Sequence, residues 1–198
     1  MQIKDNLYGP EAFENELSFE EVINDNEKKI INLIYGMTGD FHLSQDLTQE
    51  TFIKAFQSLK SFNGKSKIST WLYRIAVNVT IDYQRKNYVQ KEKPSDLKDC
   101  EAANSTNSEE TDQKCQKSAI KKILFEVISK MPEQQKEVFV LREINGCSTK
   151  EVAEILDCTT DLVKWRLHKA RSYMRKELGN YKQYKDFGSL KLNSFGLE

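Results

Sequence analysis

The sequence predicts an all-α protein with two small helical domains, an N-terminal helical bundle and a C-terminal helix-turn-helix, joined by a flexible acidic linker. Apolar residues recur at helical spacing in two blocks, and an acidic stretch with few large apolar residues separates them. The 198 residues suffice for one or two domains, each with its own core. The 30 basic and 30 acidic residues cancel in number but are segregated along the chain. A strongly basic DNA-binding protein that acts alone would not look like this, so we expect a partner to complete the activity.

Changes in composition set the expected boundaries. Residues 1–27 hold eight acids and one lysine, and we assign 1–17 to an acidic leader. The bundle follows at 18–91, the linker at 92–117, the C-terminal domain at 118–178 and a tail at 179–198. Between Glu92 and Asp112 there are seven acids and two lysines. Such a stretch cannot bury enough apolar surface to offset its ordering entropy, so it is predicted to be disordered.

The bundle is predicted to contain three helices. Ser18 and Glu21 form a capping-box pattern at the start of the first, which Gly39-Asp40 ends. Ser44 and Ser69 are the expected N-caps of the second and third helices. The predicted inward-facing residues are Leu47, Phe52, Ala55, Phe56 and Leu59 on the second helix, and Leu72, Ile75, Ala76, Val79 and Tyr83 on the third.

The C-terminal block reads as a helix-turn-helix. Pro132 suits a first helical position, and Ser148 with Glu151 forms a second capping box. A turn at Asp157, where a positive φ is expected, precedes the last helix. That helix is predicted to run to about Leu178, and its inward stripe is Val163, Leu167, Ala170, Met174 and Leu178.

Two stretches carry concentrated positive charge. From Lys54 to Lys91 there are eight Lys or Arg against the single acid Asp82, with aromatic residues interleaved. Basic side chains neutralise phosphate, and aromatic rings stack on unpaired bases. The alternative is a solvated basic face above an ordinary aromatic core. From Leu162 to Lys176 there are six Lys or Arg and no acid, which suits a helix in the major groove. The alternative there is a surface helix whose charges complement its dipole.

No arrangement of residues suggests catalysis, so the chain is not expected to be an enzyme. It shows no recognisable nucleophile motif and no phosphate-binding glycine loop. The four cysteines form no CxxC pair, and two histidines are few for a metal site, so no metal and no cofactor are expected. Neither a membrane span nor a signal-peptide pattern is visible, and we expect a cytoplasmic protein with free thiols.

Two runs of sequence resemble a known family. DLTQETF, a SFNGKS loop, TWLYRIAVN and DYQRK are similar to the second conserved region of bacterial sigma factors, in the small extracytoplasmic-function (ECF) group. MPEQQKEVFVLREINGCSTKEVAEIL followed by VKWRLHKAR resembles the fourth conserved region of the same group. These proteins are RNA polymerase subunits that recognise promoters and open them. Together the two runs cover most of residues 18–178, in the family's order.

The resemblance implies four sets of site residues. The predicted contacts to core polymerase are Asp46, Gln49, Glu50 and Ile53. The residues expected to capture the unpaired strand of the −10 element are Phe62, Gly64, Lys65, Ser66, Trp71, Ile75 and Asn78. The predicted contacts to the DNA backbone are Arg74, Arg85, Lys86 and Lys91. The residues expected to read the −35 element are Thr160, Lys164, Trp165, Arg166, His168, Lys169 and Arg171. Trp165 stands where the family often has a smaller residue, so promoter preference cannot be carried over from relatives.

The implied partners are core RNA polymerase, through its clamp and flap surfaces, promoter DNA, and a cognate anti-sigma factor. The chain itself is not expected to insert into a membrane. The main rival is a stand-alone helix-turn-helix transcriptional regulator whose bundle senses a ligand or dimerises. That rival explains the C-terminal domain equally well but leaves the basic, aromatic stretch at 54–91 unexplained. Tight specific binding to duplex DNA without polymerase would favour it.

Overall fold

A computed structural model describes residues 16–91 and 123–179, with side chains described for 19–88 and 123–179. Most of the predicted leader, the predicted linker and the tail beyond Gly179 lie outside the described residues. Every regular element within the described ranges is helical, in agreement with the predicted all-α class. No described helix combines the length and the apolar character needed to cross a membrane.

Three helices form the N-terminal bundle. They are α1 at Glu16–Thr38, α2 at Phe41–Ser58 and α3 at Ile68–Lys91, and a short 3₁₀ turn at Leu59–Ser61 extends α2. Each helix packs against the other two. Their shared core contains fully buried side chains from α1 and α3, among them Ile30, Leu33 and Leu72. The three predicted helices of the bundle are therefore present.

The predicted N-caps of the bundle are wrong. Asp40, not Ser44, caps α2, since its carboxylate accepts a hydrogen bond from the Leu43 N–H at 3.0 Å. Ser44 is buried inside α2 and donates its hydroxyl hydrogen bond to the Asp40 carbonyl. Ser18 and Ser69 likewise lie inside α1 and α3. A serine hydroxyl can bond to the carbonyl four residues before it, so a serine near a helix start does not have to be the cap.

Within residues 123–179, the C-terminal domain has four α-helices. They are α4 at 123–129, α5 at Glu133–Phe139, α6 at Thr149–Ile155 and α7 at Thr160–Gly179. Pro132 precedes α5 as its N-cap, one residue before the predicted position. A π-helical segment at Val140–Ile144 continues α5, and the N–H of Asn145 donates to the Val140 carbonyl at 3.0 Å. The sequence did not predict this segment.

The helix-turn-helix is formed by α6 and α7. The capping box at Ser148 and Glu151 is present in both directions, as predicted. Asp157 has a φ of 48° in the turn, which confirms the expected left-handed conformation. The whole predicted inward stripe of α7 is buried, from Val163 to Leu178. These contacts fix the direction of α7 and leave its opposite face to solvent.

Phe56 is the main error in the predicted core. Its side chain is 51% exposed, whereas Leu47, Phe52 and Ala55 on the same helix are buried. Leu47, Thr48, Thr51, Phe52 and Ala55 fill the space against α1 and α3, and Phe56 falls at the margin of that buried stripe. Its ring lies on Phe19 of α1, with centroids 5.3 Å apart.

The two domains pack directly against each other. Helix α1 contacts α5 and the π segment, and α3 contacts α6. The buried apolar side chains of both domains form one continuous cluster. The sequence analysis predicted two separate domains on a disordered linker and did not predict this contact.

Candidate nucleic-acid and polymerase interfaces

The predicted polymerase contacts form one exposed stripe on α2. Asp46, Gln49, Glu50 and Ile53 are all exposed and follow helical spacing on a single face. Glu50 pairs with Lys54 of the same helix at 2.8 Å. Ile53 is 58% exposed, which is unusual for an aliphatic side chain beside a well-packed core. The stripe thus combines acidic, amide and apolar groups in a small area.

An apolar groove adjoins this stripe. It has a volume of about 360 Å³ and is lined by Phe19, Ile23, Phe52, Ile53, Phe56 and Gln57. The sequence analysis placed Phe56 on the inward face of the second helix and so missed this surface. The available signal was the position of Phe56 three residues after Ile53, on the same side of α2. An exposed apolar groove of this kind is typical of a surface that another protein covers.

The loop before α3 combines one buried residue with several exposed ones. Phe62 is only 5% exposed and lies beneath Trp71, with ring centroids 5.2 Å apart. Its ring therefore supports Trp71 instead of lining an open pocket. Gly64 has a φ of +68°, a conformation that suits glycine, and it is exposed together with Lys65. Ser66 is half-buried.

One face of α3 displays the other residues predicted to contact single-stranded DNA. Trp71 and Ile75 are partly exposed and Asn78 is exposed, at positions spaced four and three residues apart. Arg74, Arg85 and Lys86 are exposed around this line, as a backbone contact requires. Arg85 also donates to the Asp82 carboxylate at 3.1 Å. The side chain of Lys91 lies outside the described residues.

The outer face of α7 carries a group of exposed side chains. Trp165 is 55% exposed, and the Lys169 ammonium lies 5.8 Å from the centre of its ring. Lys164 pairs with Asp161 at 3.0 Å, and His168 is exposed on the same helix. Thr160 is half-buried at the first position of α7. The Lys164–Asp161 ion pair and the contact of Lys169 with the Trp165 ring are both exposed to solvent. Either lysine could therefore turn to a DNA phosphate at little cost in free energy.

Two of the residues predicted to read the −35 element form side-chain hydrogen bonds within the C-terminal domain. Arg171 donates two N–H groups to one Glu143 oxygen, at 2.6 and 3.1 Å. Arg166 donates to the Gln134 side chain at 3.0 Å, and among the described residues its buried Nε has no hydrogen-bond partner. These arginines connect α7 to α5 and to the π segment. They hold the helix in place as well as adding to its charge.

Buried ionisable groups adjoin these contacts. Burial, with a further contribution from Glu133, raises the pKa of Glu137 to about 7, although Arg166 and Lys136 oppose the rise. Burial also raises the pKa of the Cys147 thiol to about 12. Within residues 16–91 and 123–179, no three His, Cys, Asp or Glu side chains are grouped as metal ligands would be.

Comparison with known proteins agrees with this geometry. The family model for sigma-70 region 2 matches residues 22–88, and the model for sigma-70 region 4 matches 121–174. The chain is 33% identical over 171 residues to the ECF RNA polymerase sigma factor SigW of Bacillus subtilis, covering 81% of this chain and 89% of SigW. It is 35% identical over 157 residues to the ECF RNA polymerase sigma-E factor of Escherichia coli, covering 73% of this chain and 78% of that protein.

Solved structures share the fold. The sigma factor RpoE from Bartonella quintana, determined with the anti-sigma factor NepR, has a TM-score of 0.66 and 19% identity, covering 81% of this chain and 96% of that one. CnrH, determined with the cytosolic domain of CnrY, has a TM-score of 0.60 and 21% identity, covering 85% and 92%. With two matched domains in order and this identity over nearly all of SigW, the chain belongs to the ECF family of RNA polymerase sigma factors.

Proposed function

We propose that this chain binds core RNA polymerase and directs it to promoters, recognising both promoter elements and opening the DNA. The observation that carries the proposal is that one chain holds a region 2 bundle with an exposed basic and aromatic face and a region 4 helix-turn-helix with an exposed reading helix. The polymerase supplies catalysis, and this chain supplies the choice of start site. It acts in the cytoplasm, where polymerase and chromosome are found.

Transcription with purified components tests this function. Core polymerase from the source organism is combined with the purified chain and fragments of the genome, and the 5′ ends of the transcripts are mapped. We expect a small set of start sites that depend on the added chain. Tight specific binding to duplex DNA without polymerase, and no new start sites with it, would instead indicate a stand-alone helix-turn-helix regulator.

The exposed stripe of α2 is the proposed contact to the polymerase clamp. Four side chains on one helical face, next to an apolar groove, support this assignment. We expect the double variant Gln49→Ala, Glu50→Ala to bind core polymerase at least tenfold more weakly, measured by fluorescence anisotropy. Glu27→Ala, at an exposed position of α1, is the matched control. Unchanged affinity of the double variant would show that the clamp binds elsewhere.

The face of α3 is the proposed site for the unpaired −10 strand. The partly exposed ring of Trp71 offers a stacking surface, and the exposed amide of Asn78 can both donate to and accept from a base edge. Extruding a base from the duplex costs a few kcal/mol, which contacts of this kind can offset.

A promoter whose −10 segment is already unpaired tests whether a variant is defective in capturing the unpaired strand. Asn78→Ala should reduce open-complex formation on duplex promoter DNA and regain activity on DNA whose −10 segment is already unpaired. Asn24→Ala, exposed on α1, is the control and should behave as wild type on both templates. If Asn78→Ala is equally defective on the pre-opened template, its role lies outside strand capture.

The remaining proposed contacts to DNA are of two kinds: contacts to backbone phosphates and contacts that recognise bases. Arg74, Arg85 and Lys86 are proposed to contact backbone phosphates, and substitution should flatten the salt dependence of promoter binding for every sequence. Trp165 and its neighbours on α7 are proposed to read the −35 element, where each reading contact contributes roughly 1–3 kcal/mol of discrimination. Trp165→Ala should therefore change which base is preferred in a −35 library, beyond weakening binding.

An anti-sigma factor is the third proposed partner. The two solved neighbours were each determined with another protein, in one case a named anti-sigma factor, and this chain leaves an apolar groove exposed on its bundle. Affinity capture with the bundle, followed by competition with core polymerase, tests whether such a partner and the polymerase exclude each other.

A further inference from the structure

A hydrogen bond joins the reading helix α7 to α5. Arg166, in the second turn of α7, donates from Nη2 to Oε1 of Gln134 at 3.0 Å. Gln134 is the second residue of α5, and its side chain is exposed. Lys164 and Trp165, which precede Arg166 on α7, are exposed, whereas Arg166 is half-buried. The Arg166 side chain therefore lies along the boundary between the two helices, and its terminal group reaches the surface beside Gln134.

This bond fixes the plane of the Arg166 guanidinium. Its Nε is buried and has no hydrogen-bond partner among the described residues, so protein atoms enclose the inner edge of the group. Gln134 holds the group a second time, at Nη2. Because a guanidinium is planar, two fixed points determine the direction of its remaining donors. Arg166 can therefore offer those donors to a phosphate or a base edge with little further loss of rotamer freedom.

The acceptor of the bond is neutral, which distinguishes Arg166 from Arg171. Arg171 bonds to the Glu143 carboxylate at 2.6 Å, so its charge is paired within the domain. A carboxylate would also hold Arg166 more strongly than an amide, because charge-assisted hydrogen bonds are the stronger ones. The Gln134 amide orients Arg166 and leaves its positive charge for DNA.

A buried carboxyl group lies one turn further along α5. Glu137 is 8% exposed, and the charged groups that act on it are Glu133 and Lys136 of its own helix and Arg166 of α7. Burial raises the pKa of Glu137 to about 7, and Arg166 opposes part of that rise. Glu137 is therefore mostly neutral at pH 6 and mostly ionised at pH 8. Once ionised, it offsets part of the positive charge of Arg166.

We propose that Gln134 positions Arg166 for contact with the −35 element, and that Glu137 sets how much positive charge Arg166 presents to the DNA. Both are positioning residues, since they act on DNA only through Arg166. Neither belongs to the four predicted sets of site residues. The inference rests on the proposed sigma activity, because Arg166 adjoins Trp165 on the helix proposed to read the −35 element.

A double-mutant cycle tests the role of Gln134. The full chain is assembled with core polymerase, and its affinity for a labelled promoter duplex is measured by fluorescence anisotropy, with a duplex of altered −35 sequence for comparison. Gln134→Ala should weaken promoter binding about threefold to tenfold, because Arg166 loses its orienting bond. In an Arg166→Ala background the same change should have no further effect. Gln135→Ala, the same substitution at the next position of α5, is the matched control.

The cycle separates this inference from the proposed function. If Gln134→Ala binds as wild type, or if its effect is equally large without Arg166, the positioning role is refuted while −35 recognition stands. If wild-type holoenzyme shows no binding that depends on the −35 sequence, the proposed function fails and the inference fails with it. Circular dichroism checks that the variants are folded. Arg166→Lys is a second background, which keeps the charge but lacks the planar fork that Gln134 orients.

A pH profile tests the role of Glu137. Glu137→Gln is neutral at every pH, so its affinity for promoter DNA relative to the parent should rise about twofold to fivefold from pH 6 to pH 8. His168, exposed on α7, also loses charge in this range, but both chains keep it, so the ratio reports Glu137. In the Arg166→Ala background the rise should be smaller. A ratio that stays constant with pH, or rises equally without Arg166, would show that Glu137 does not act through this arginine.

Discussion

Glu137 makes the stability of the C-terminal domain depend on pH. Its side chain is 8% exposed, and burial raises its pKa to about 7 from 4.5. Because the folded chain holds this proton more tightly than the unfolded chain, its contribution to stability is fully present below pH 4.5 and is lost as the pH rises through 7. At roughly 1.4 kcal/mol for each pKa unit, the loss between pH 5 and pH 8 is about 2.5 kcal/mol. Glu137→Gln should abolish this loss.

Urea unfolding at several pH values measures the effect. The chain has two tryptophans, so a Trp71→Phe background leaves Trp165 to report on the C-terminal domain. The difference in free energy of unfolding between Glu137→Gln and its parent should grow by about 2.5 kcal/mol from pH 5 to pH 8. Glu154→Gln, at an exposed position of α6, should show no such growth. Parallel pH profiles for Glu137→Gln and its parent would refute the argument.

Three further predictions follow from buried or strained positions. Cys158 should be alkylated by iodoacetamide at pH 8 well before Cys147, because burial raises the pKa of the Cys147 thiol to about 12. Peptide mapping measures the two rates, and faster labelling of Cys147 would contradict its burial. Asp157→Gly should stabilise the domain by about 0.5–1 kcal/mol, seen as a higher Tm, because Asp157 has a φ of 48°; a lower Tm would mean that the aspartate contributes more than its backbone costs. Phe139→Ala should lower the free energy of unfolding by roughly 3–5 kcal/mol in urea, since Phe139 is 1% exposed; a loss below about 1 kcal/mol would be inconsistent with a filled core at that position.

Periodic patterns predicted most of the residues on the inner faces of the helices. The stripe from Val163 to Leu178 on α7 is buried as predicted, because one long helix covers a core that only its apolar face can enter. The capping box at Ser148 was also predictable, since both partners act within four residues. Local interactions of this kind can be read from a single stretch of chain.

Competing local bonds explain the wrong helix starts. Ser44 and Thr48 both donate to the carbonyl four residues earlier, so hydroxyl side chains are accommodated inside α2. Asp40 was interpreted only as a helix break, although aspartate is among the best N-caps. The spacing of hydroxyl residues therefore does not decide which of them begins a helix.

Contacts between distant parts of the chain could not be predicted from the sequence patterns. Phe56 had the right spacing for the core but lies at its margin, and Arg171 had the right charge for DNA but bonds to Glu143. One signal for the contact between domains was present in Gly36. A glycine inside a helix costs about 1 kcal/mol relative to alanine, which suggests a packing reason for its presence.

The π segment at Val140–Ile144 amounts to one extra residue wound into a helix without breaking it. Removing that residue would restore ordinary α winding and rotate everything beyond it by about 100° about the axis, because each residue of an α-helix turns the chain by that angle. Asn145 would then swing away from the Lys29 carbonyl of α1, and α7 would lose its packing against α5, which lies before the segment. A single insertion or deletion at this place would thus disturb the C-terminal domain from within, because the helix pair α6 and α7 would no longer face α5 and α3.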